Sequence, residues 1–346
     1  MRKGGRRWIA AVLALLVLLG ATYTVYWRHV AAELEGGIAA WAEAERAAGG
    51  TVEFSDGSIT GFPFAFRRDF GEVTIWRPMS GGTWSATGVH AIATLRPWQL
   101  NVIDVAVQGP ADAAFITPEA LPIRLHLEQA AGQIRLTADG RLDWATVSAA
   151  EVTLEHAGQV YAATSTTMVL DPPPLQPRSH RDPLLDLELD FRDVMMPAGH
   201  RALSDGPVSE FSLAATVSGV LPFDLPPDLA VAQWAETGGT VELRRFGFIQ
   251  APLDLAGEGT LALDHNLQLL GALTIRARGL PETIDLLAAN GVIEAGAART
   301  GRLMAEGLAK PDDQGKDTVN VSLTLQQGFA WLGPIRLMPL PVLVWK

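Results

Sequence analysis

Few residues in this chain have the type and spacing that chemistry needs. His126 and Glu128 stand two apart in an alternating stretch, so both face one side of a strand, as a pair of metal ligands would. A metal site takes three or four ligands, and no two of the seven histidines share helical i, i+4 spacing. A solvated contact is the simpler reading of the pair. Asp186, Glu188 and Asp190 put three carboxylates on one face of another strand. Calcium would need further oxygen ligands from a defined loop, which the sequence does not supply. Arg181 and Arg192 are the expected counter-charges. Gly257-Glu258-Gly259-Thr260-Leu261-Ala262 formally matches the dinucleotide fingerprint, but that chemistry requires the turn to open a helix, and here it runs into an alternating strand. Asn320-Val321-Ser322 is a formal glycosylation sequon, relevant only in a eukaryotic secretory pathway. With no cysteine, disulfides, thiolate metal sites and cysteine catalysis are excluded. No catalytic, metal or cofactor-binding residue is expected, and an enzyme is the least favoured functional class.

What must be positioned is therefore the chain itself. Trp8 to Trp27 is a 20-residue run free of Asp, Glu, Lys, Arg and His. At about 1.5 Å per residue it spans about 30 Å, the hydrocarbon thickness of a bilayer. Trp8 marks one end, and Tyr23, Tyr26 and Trp27 mark the other, as aromatic rings do at membrane interfaces. Arg2, Lys3, Arg6 and Arg7 precede the run and stay cytoplasmic by the positive-inside rule. A cleaved signal peptide is the competing reading. The apolar run exceeds the usual h-region of about 7–15 residues, and no clear A-x-A site follows Leu19, so a retained anchor is preferred. Residues 1–7 are then a cytoplasmic tail, 8–27 a transmembrane anchor, and the remainder lies across the membrane.

The whole chain of 346 residues carries a net charge of −11. With four of its 27 basic residues in the tail, the exported part holds 23 against 38 acidic ones, a net −15. A nucleic-acid partner with a broad basic face is excluded by that balance.

Residues 28–50 read as a helix continuing from the anchor. Val30, Leu34, Ile38 and Trp41 form one apolar stripe, and Gly49-Gly50 ends it with a left-handed cap. From Thr51 the period changes from 3.6 to 2. Leu185, Leu187, Leu189 and Phe191 alternate with acidic residues, and Val319, Val321, Leu323 and Leu325 alternate with polar ones. Such alternation belongs to antiparallel strands with one wet face. Gly238 to Gly279 reads as a meander of hairpins, interrupted at Gly271. Short helices are expected from Pro281 to Ala289 and from Val292 to Lys310, the second with Ile293, Ala297, Thr300, Met304 and Leu308 on one face. The fold class is mainly β: a transmembrane helix, then a large, curved antiparallel sheet over 51–346 with a few packing helices. The proline-rich segment 171–183 joins two halves, either as a domain linker or, preferably, as a long connection within one sheet.

Two segments are unusual. Gly61-Phe62-Pro63-Phe64-Ala65-Phe66-Arg67 crowds three aromatics around a proline, and residues 328–346 form an apolar, proline-containing tail expected to shield an edge or mouth of the sheet. With these segments the chain resembles a family of uncharacterised alphaproteobacterial envelope proteins, domain of unknown function two-one-two-five. The resemblance rests on the basic-then-apolar N-terminus, Gly61-Phe62-Pro63-Phe64, Arg96-Pro97-Trp98, Gly239 with Val241-Glu242-Leu243, Gly259-Thr260-Leu261-Ala262-Leu263-Asp264, and Gly328 with Leu332-Gly333-Pro334-Ile335. These run in order along nearly the whole chain. More distantly, the layout is similar to AsmA-like envelope proteins, which implies lipid handling or upkeep of the outer membrane. The resemblance implies no catalytic residues.

Two functional readings follow. In the first, the protein is anchored in a bacterial inner membrane, with its bulk in the periplasm, and binds phospholipid or supports the envelope. Val241, Leu243, Leu261, Leu263, Leu273 and Ile275 are the candidate lining of an apolar groove. An ordinary closed core is the competing reading of the same six residues, since alternation shows a buried face and not what buries it. In the second, it is a membrane-tethered scaffold that docks another envelope protein through a strand edge or the residue 28–48 helix.

Overall fold

The structure, a computed structural model, describes residues 3–79, 82–88, 90–116, 121–197, 203, 206–222, 225–311, 315, 317–332 and 335–340. Arg2 and the last six residues of the apolar tail lie outside these, as do Gly333-Pro334 and the side chains of Lys3, Arg6 and Arg7.

One unbroken helix, α1 (Lys3–Ala47), contains both the apolar run and the amphipathic segment. It is long and apolar enough to cross a membrane. It stops before Gly49, whose φ of +86° is the left-handed conformation that caps a helix. From Trp27 onward α1 packs on the body through Trp27, Ala31, Leu34 and Ala42. The expected stripe is thus turned at its far end: Ala42 is buried, whereas Trp41 is exposed. The helix end comes so close to the sheet that a Cβ on Gly50 would stand 2.9 Å from the Trp76 carbonyl oxygen. Glu35 accepts from the Ile59 amide at 2.8 Å, and Arg77 pairs with Glu45, fastening the helix along its length.

Strands make up 53% of the chain and form one large antiparallel sheet. Beside the helix lie five short strands: β1 (Thr51–Glu53), β2 (Phe66–Asp69), β3 (Val73–Met79), β4 (Gly82–Gly88) and β5 (Ala91–Arg96). The long β6 (Gln99–Ile116) gathers them. Its first half pairs with β5, which carries β2; its second half pairs with β4, which carries β3 and then β1. The chain then meanders through β7 (Ile123–Leu136), β8 (Leu142–His156), β9 (Gln159–Asp171), β10 (Pro183–Val194), β11 (Val208–Ser218), β12 (Thr240–Gln250), β13 (Leu253–Leu263) and β14 (Leu269–Arg278), each antiparallel to the last. A two-residue β15 (Lys310–Pro311), then β16 (Asp317–Gln326), β17 (Phe329–Leu332) and β18 (Ile335–Pro339), complete the sheet.

The proline-rich segment joins β9 to β10, which pair directly with Asp171 opposite Asp186. Gly271 does not interrupt its strand. It is a regular rung of β14 opposite Leu261, where a Cβ would stand 2.3 Å from the Thr260 carbonyl oxygen.

Among the described residues, three more helices decorate the sheet. α2 (Pro227–Glu236) is an element the alternation analysis does not anticipate. α3 (Leu280–Ala289) and α4 (Ala295–Leu308) fall where expected. The packed face of α4 differs from the expected one. Ala298 and Ala305 are buried with Gly301 between them, while Met304 and Leu308 are exposed. Small side chains let α4 approach α3 closely, and a Cβ on Gly301 would stand 3.6 Å from Ile284 Cδ1. The larger side chains are turned outward.

The accessible surface is 21,348 Å². A compact protein of this mass exposes roughly 13,600 Å². The bare helix and the incompletely covered sheet both add to the excess.

Candidate functional site: an open apolar face

Strand register carries one apolar row across the sheet. Phe66 on β2 lies opposite Leu95, Leu95 opposite Ile103, Ile103 opposite Ile134, Ile134 opposite Ala145, and Ala145 opposite Leu170. The row continues through Leu187, Ala215, Leu243, Gly259, Leu273 and Leu323. Directly opposed residues point to the same face, so twelve strands contribute one apolar rung each. At about 4.8 Å per strand the row runs about 50 Å along the sheet. A second row follows the same path two residues away, or three across the bulge of β12: Val105, Gly132, Val147, Met168, Leu189, Leu213, Phe246, Gly257, Ile275 and Val321. The reverse side carries Asp186, Glu188, Asp190, Glu242 and Arg276.

This apolar face is only partly covered. In the first row Phe66, Ala145 and Ala215 are buried, and the other side chains keep intermediate exposure. The face holds shallow apolar hollows rather than one chamber. One, of about 240 Å³, lies between α2 and the sheet and is lined by Val217, Leu221, Val231, Trp234, Val241, Leu261, Ala262, Leu263 and Leu269. A second of about 230 Å³ and a third of about 180 Å³ share Val107 at the helix-proximal end. Each is smaller than a typical drug-sized ligand pocket of about 300–1,000 Å³.

The six candidate lining residues lie on this one face. Val241, Leu261 and Leu263 line the hollow under α2. Leu243 and Leu273 flank Gly259 in the first row, and Ile275 stands opposite Gly257 in the second. These glycines belong to the formal dinucleotide match, which lies wholly within β13. A Cβ on Gly259 would stand 2.2 Å from the Ala272 carbonyl oxygen, so the glycine serves close strand packing. Periodicity alone misses Trp234, Val231 and Leu221, which roof and wall the hollow. The signals for α2 were present: Pro226-Pro227-Asp228 as a helix start, Ala230 and Trp234 four apart, then Gly238-Gly239.

Of the polar candidates, Asp186, Glu188 and Asp190 sit on the reverse side, and His126 lies near the start of β7. His126 Nδ1 lies 2.8 Å from Asp112, and Nε2 lies 3.6 Å from Glu128. The Asp112 hydrogen bond, with smaller help from Glu128, holds the imidazole pKa above its ordinary value. Asp186 and Glu188 are paired by Arg244, at 3.1 and 3.9 Å, and not by the expected Arg181 or Arg192. Arg192 instead pairs with Glu210, its direct cross-strand neighbour. Among the described residues, no group of three or more His, Cys, Asp or Glu is arranged to hold a metal ion.

At the helix, Trp8 is exposed and Trp27 is not. Trp27 stacks on Phe66 with ring centroids 5.1 Å apart, and its indole N–H donates to the Ala65 carbonyl at 3.2 Å. It is an anchor into the body rather than a free interfacial ring. The apolar row therefore begins at the residue against which α1 docks.

A family model described as "Uncharacterized protein conserved in bacteria (DUF2125)" matches residues 27–341. The chain belongs to this family. Neither the curated proteins nor the solved structures contain a match to it. The DUF2125 match opens at Trp27, so it takes in the helix–body junction, the aromatic Gly61–Phe66 segment and every described strand through β18. In this DUF2125 protein the apolar part of α1 precedes the matched region.

Proposed function

We propose that this DUF2125 protein is anchored in the bacterial inner membrane by α1, stands in the periplasm, and holds lipid acyl chains along its apolar sheet face. In this role it supports the envelope without catalysing a reaction. The observation that supports the reading most is the twelve-rung apolar row, only partly covered along its length and beginning at the helix. An incompletely covered apolar face of that extent calls for an apolar occupant. The basic residues ahead of the span favour a cytoplasmic N-terminus, which leaves the sheet across the membrane.

The test is photo-crosslinking of the full chain in cells, with benzoylphenylalanine placed singly at Leu189 or Leu273 on the apolar face and at Glu188 or Thr274 on the reverse. Lipid adducts at the first pair and not the second are expected. An absence of lipid at Leu189 and Leu273 would overturn the reading. The second reading, a tethered scaffold, draws on α4, where Leu303 is 65% and Leu308 is 54% exposed. A polypeptide adduct from a probe at Leu303, without lipid on the sheet, would favour it.

A further inference from the structure

Two loops of the body grip the last turns of the apolar run. The Tyr23 hydroxyl donates to the Pro63 carbonyl, and the Tyr26 hydroxyl donates to the Pro97 carbonyl at 3.1 Å. Phe62 stands edge-on to Trp27 with centroids 5.5 Å apart, and 6.1 Å from the Tyr23 ring. The gripping loops do not bury their own aromatics. Phe62 is 51%, Phe64 72% and Trp98 67% exposed. Tyr26 beside them is also exposed.

We propose that Phe62, Phe64 and Trp98 form a collar that inserts into the interfacial layer of the bilayer crossed by α1. The proposal rests on the reading of α1 as a membrane span. Depth then follows from geometry. If Trp8 to Trp27 spans the hydrocarbon layer, Tyr23 and Tyr26 lie at its far boundary. Loops hydrogen-bonded to those tyrosines lie at the same level. Aromatic rings are favoured there because an apolar ring meets chains while its polar edge meets headgroups. Arg67 and Arg96 are exposed next to the collar segments, and cations at this level complement lipid phosphates. The bilayer is chosen over a protein partner because the patch is continuous with the anchor itself.

The collar also fixes where the apolar row starts. Phe64 is two residues from Phe66, and Trp98 is three from Leu95, the first two rungs. With the collar seated, the row opens at the membrane surface, where a chain leaving the leaflet meets apolar side chains first.

The chain has no cysteine, so a single introduced thiol labels one site. Phe64→Cys, Trp98→Cys, Leu16→Cys and Leu175→Cys replace exposed side chains and put little packing at risk. Each full-length variant is labelled with an environment-sensitive fluorophore and reconstituted in phosphatidylcholine vesicles. Quenching by doxyl-labelled lipid and protection from iodide are expected at positions 64, 98 and 16, with the reverse at 175. Iodide quenching at 64 and 98, with position 16 still in lipid, would overturn the collar and leave the anchor standing. Iodide access at position 16 as well would overturn the span and the collar together.

Discussion

Trp234 closes over Gly239 so tightly that a Cβ placed there would stand 2.1 Å from the indole Cε2. The indole N–H donates to the Ser218 carbonyl at 2.9 Å, so the ring is held at both its edge and its face. This contact seats α2 on the rim of the sheet and roofs the apolar hollow of about 240 Å³. Gly239→Ala displaces the indole. It is expected to destabilise the body by about 1–3 kcal/mol, as overpacking does. Urea unfolding followed by circular dichroism reads this directly, and an unchanged midpoint would refute the contact.

Trp27→Ala is expected to cost about 3–5 kcal/mol, the range for removing a buried aromatic. It removes the stack on Phe66, the edge contact with Phe62 and the hydrogen bond to Ala65. Trp27→Phe keeps a ring and loses the hydrogen bond, for about 0.5–1.5 kcal/mol. Thermal unfolding of the full chain in detergent separates the two, and equal losses would assign the whole effect to the hydrogen bond.

Leu263→Asp together with Ile275→Asp places two carboxylates on the apolar face. Lipid carried through purification is expected to be lost, while Thr274→Asp on the reverse of the same strand leaves it in place. Folded Leu263→Asp, Ile275→Asp protein that still carries stoichiometric lipid in native mass spectrometry would refute the assignment.

His126 is expected to titrate above its ordinary pKa of about 6.5, because Asp112 and Glu128 favour the imidazolium. A pKa raised by folding stabilises the native state below the unfolded value, and that contribution disappears as pH rises through the folded value. Asp112→Asn removes the leading cause and should move the midpoint down. NMR titration of the His126 ring checks both, and an unmoved midpoint in Asp112→Asn would refute the pairing.

Much of the architecture was legible because its signals are local. The alternation at Leu185–Phe191 and Val241–Leu243 is set by the two-residue period of a strand, and Gly49 caps a helix wherever the stripe ends. What the stretch from Val241 to Ile275 could show was a face. Its extension to Phe66 depends on the register of each strand against the next, such as Leu170 opposite Leu187 across the proline-rich loop. Register is a property of pairs, and no single strand displays it. The burial of Ala42 and Ala298 in place of Trp41 and Met304 has a related cause. Side-chain size against a neighbouring element decided which flank packed, and that neighbour was invisible in the helix's own sequence. α2 lies in a stretch without alternation, so it had only its terminal signals, Pro226-Pro227-Asp228 and Gly238-Gly239, to show it.

The pairing pattern has one more consequence. From β6 to β14 each strand is hydrogen-bonded to the strands just before and after it in sequence. Cohesion then accumulates link by link, as in a one-dimensional chain of nearest neighbours. One terminus of that chain is clamped by α1, and the other ends in the five-residue β18. The body is a zipper sewn shut at its base, so amide protection is expected to rise strand by strand from β18 toward the helix, which hydrogen exchange reads.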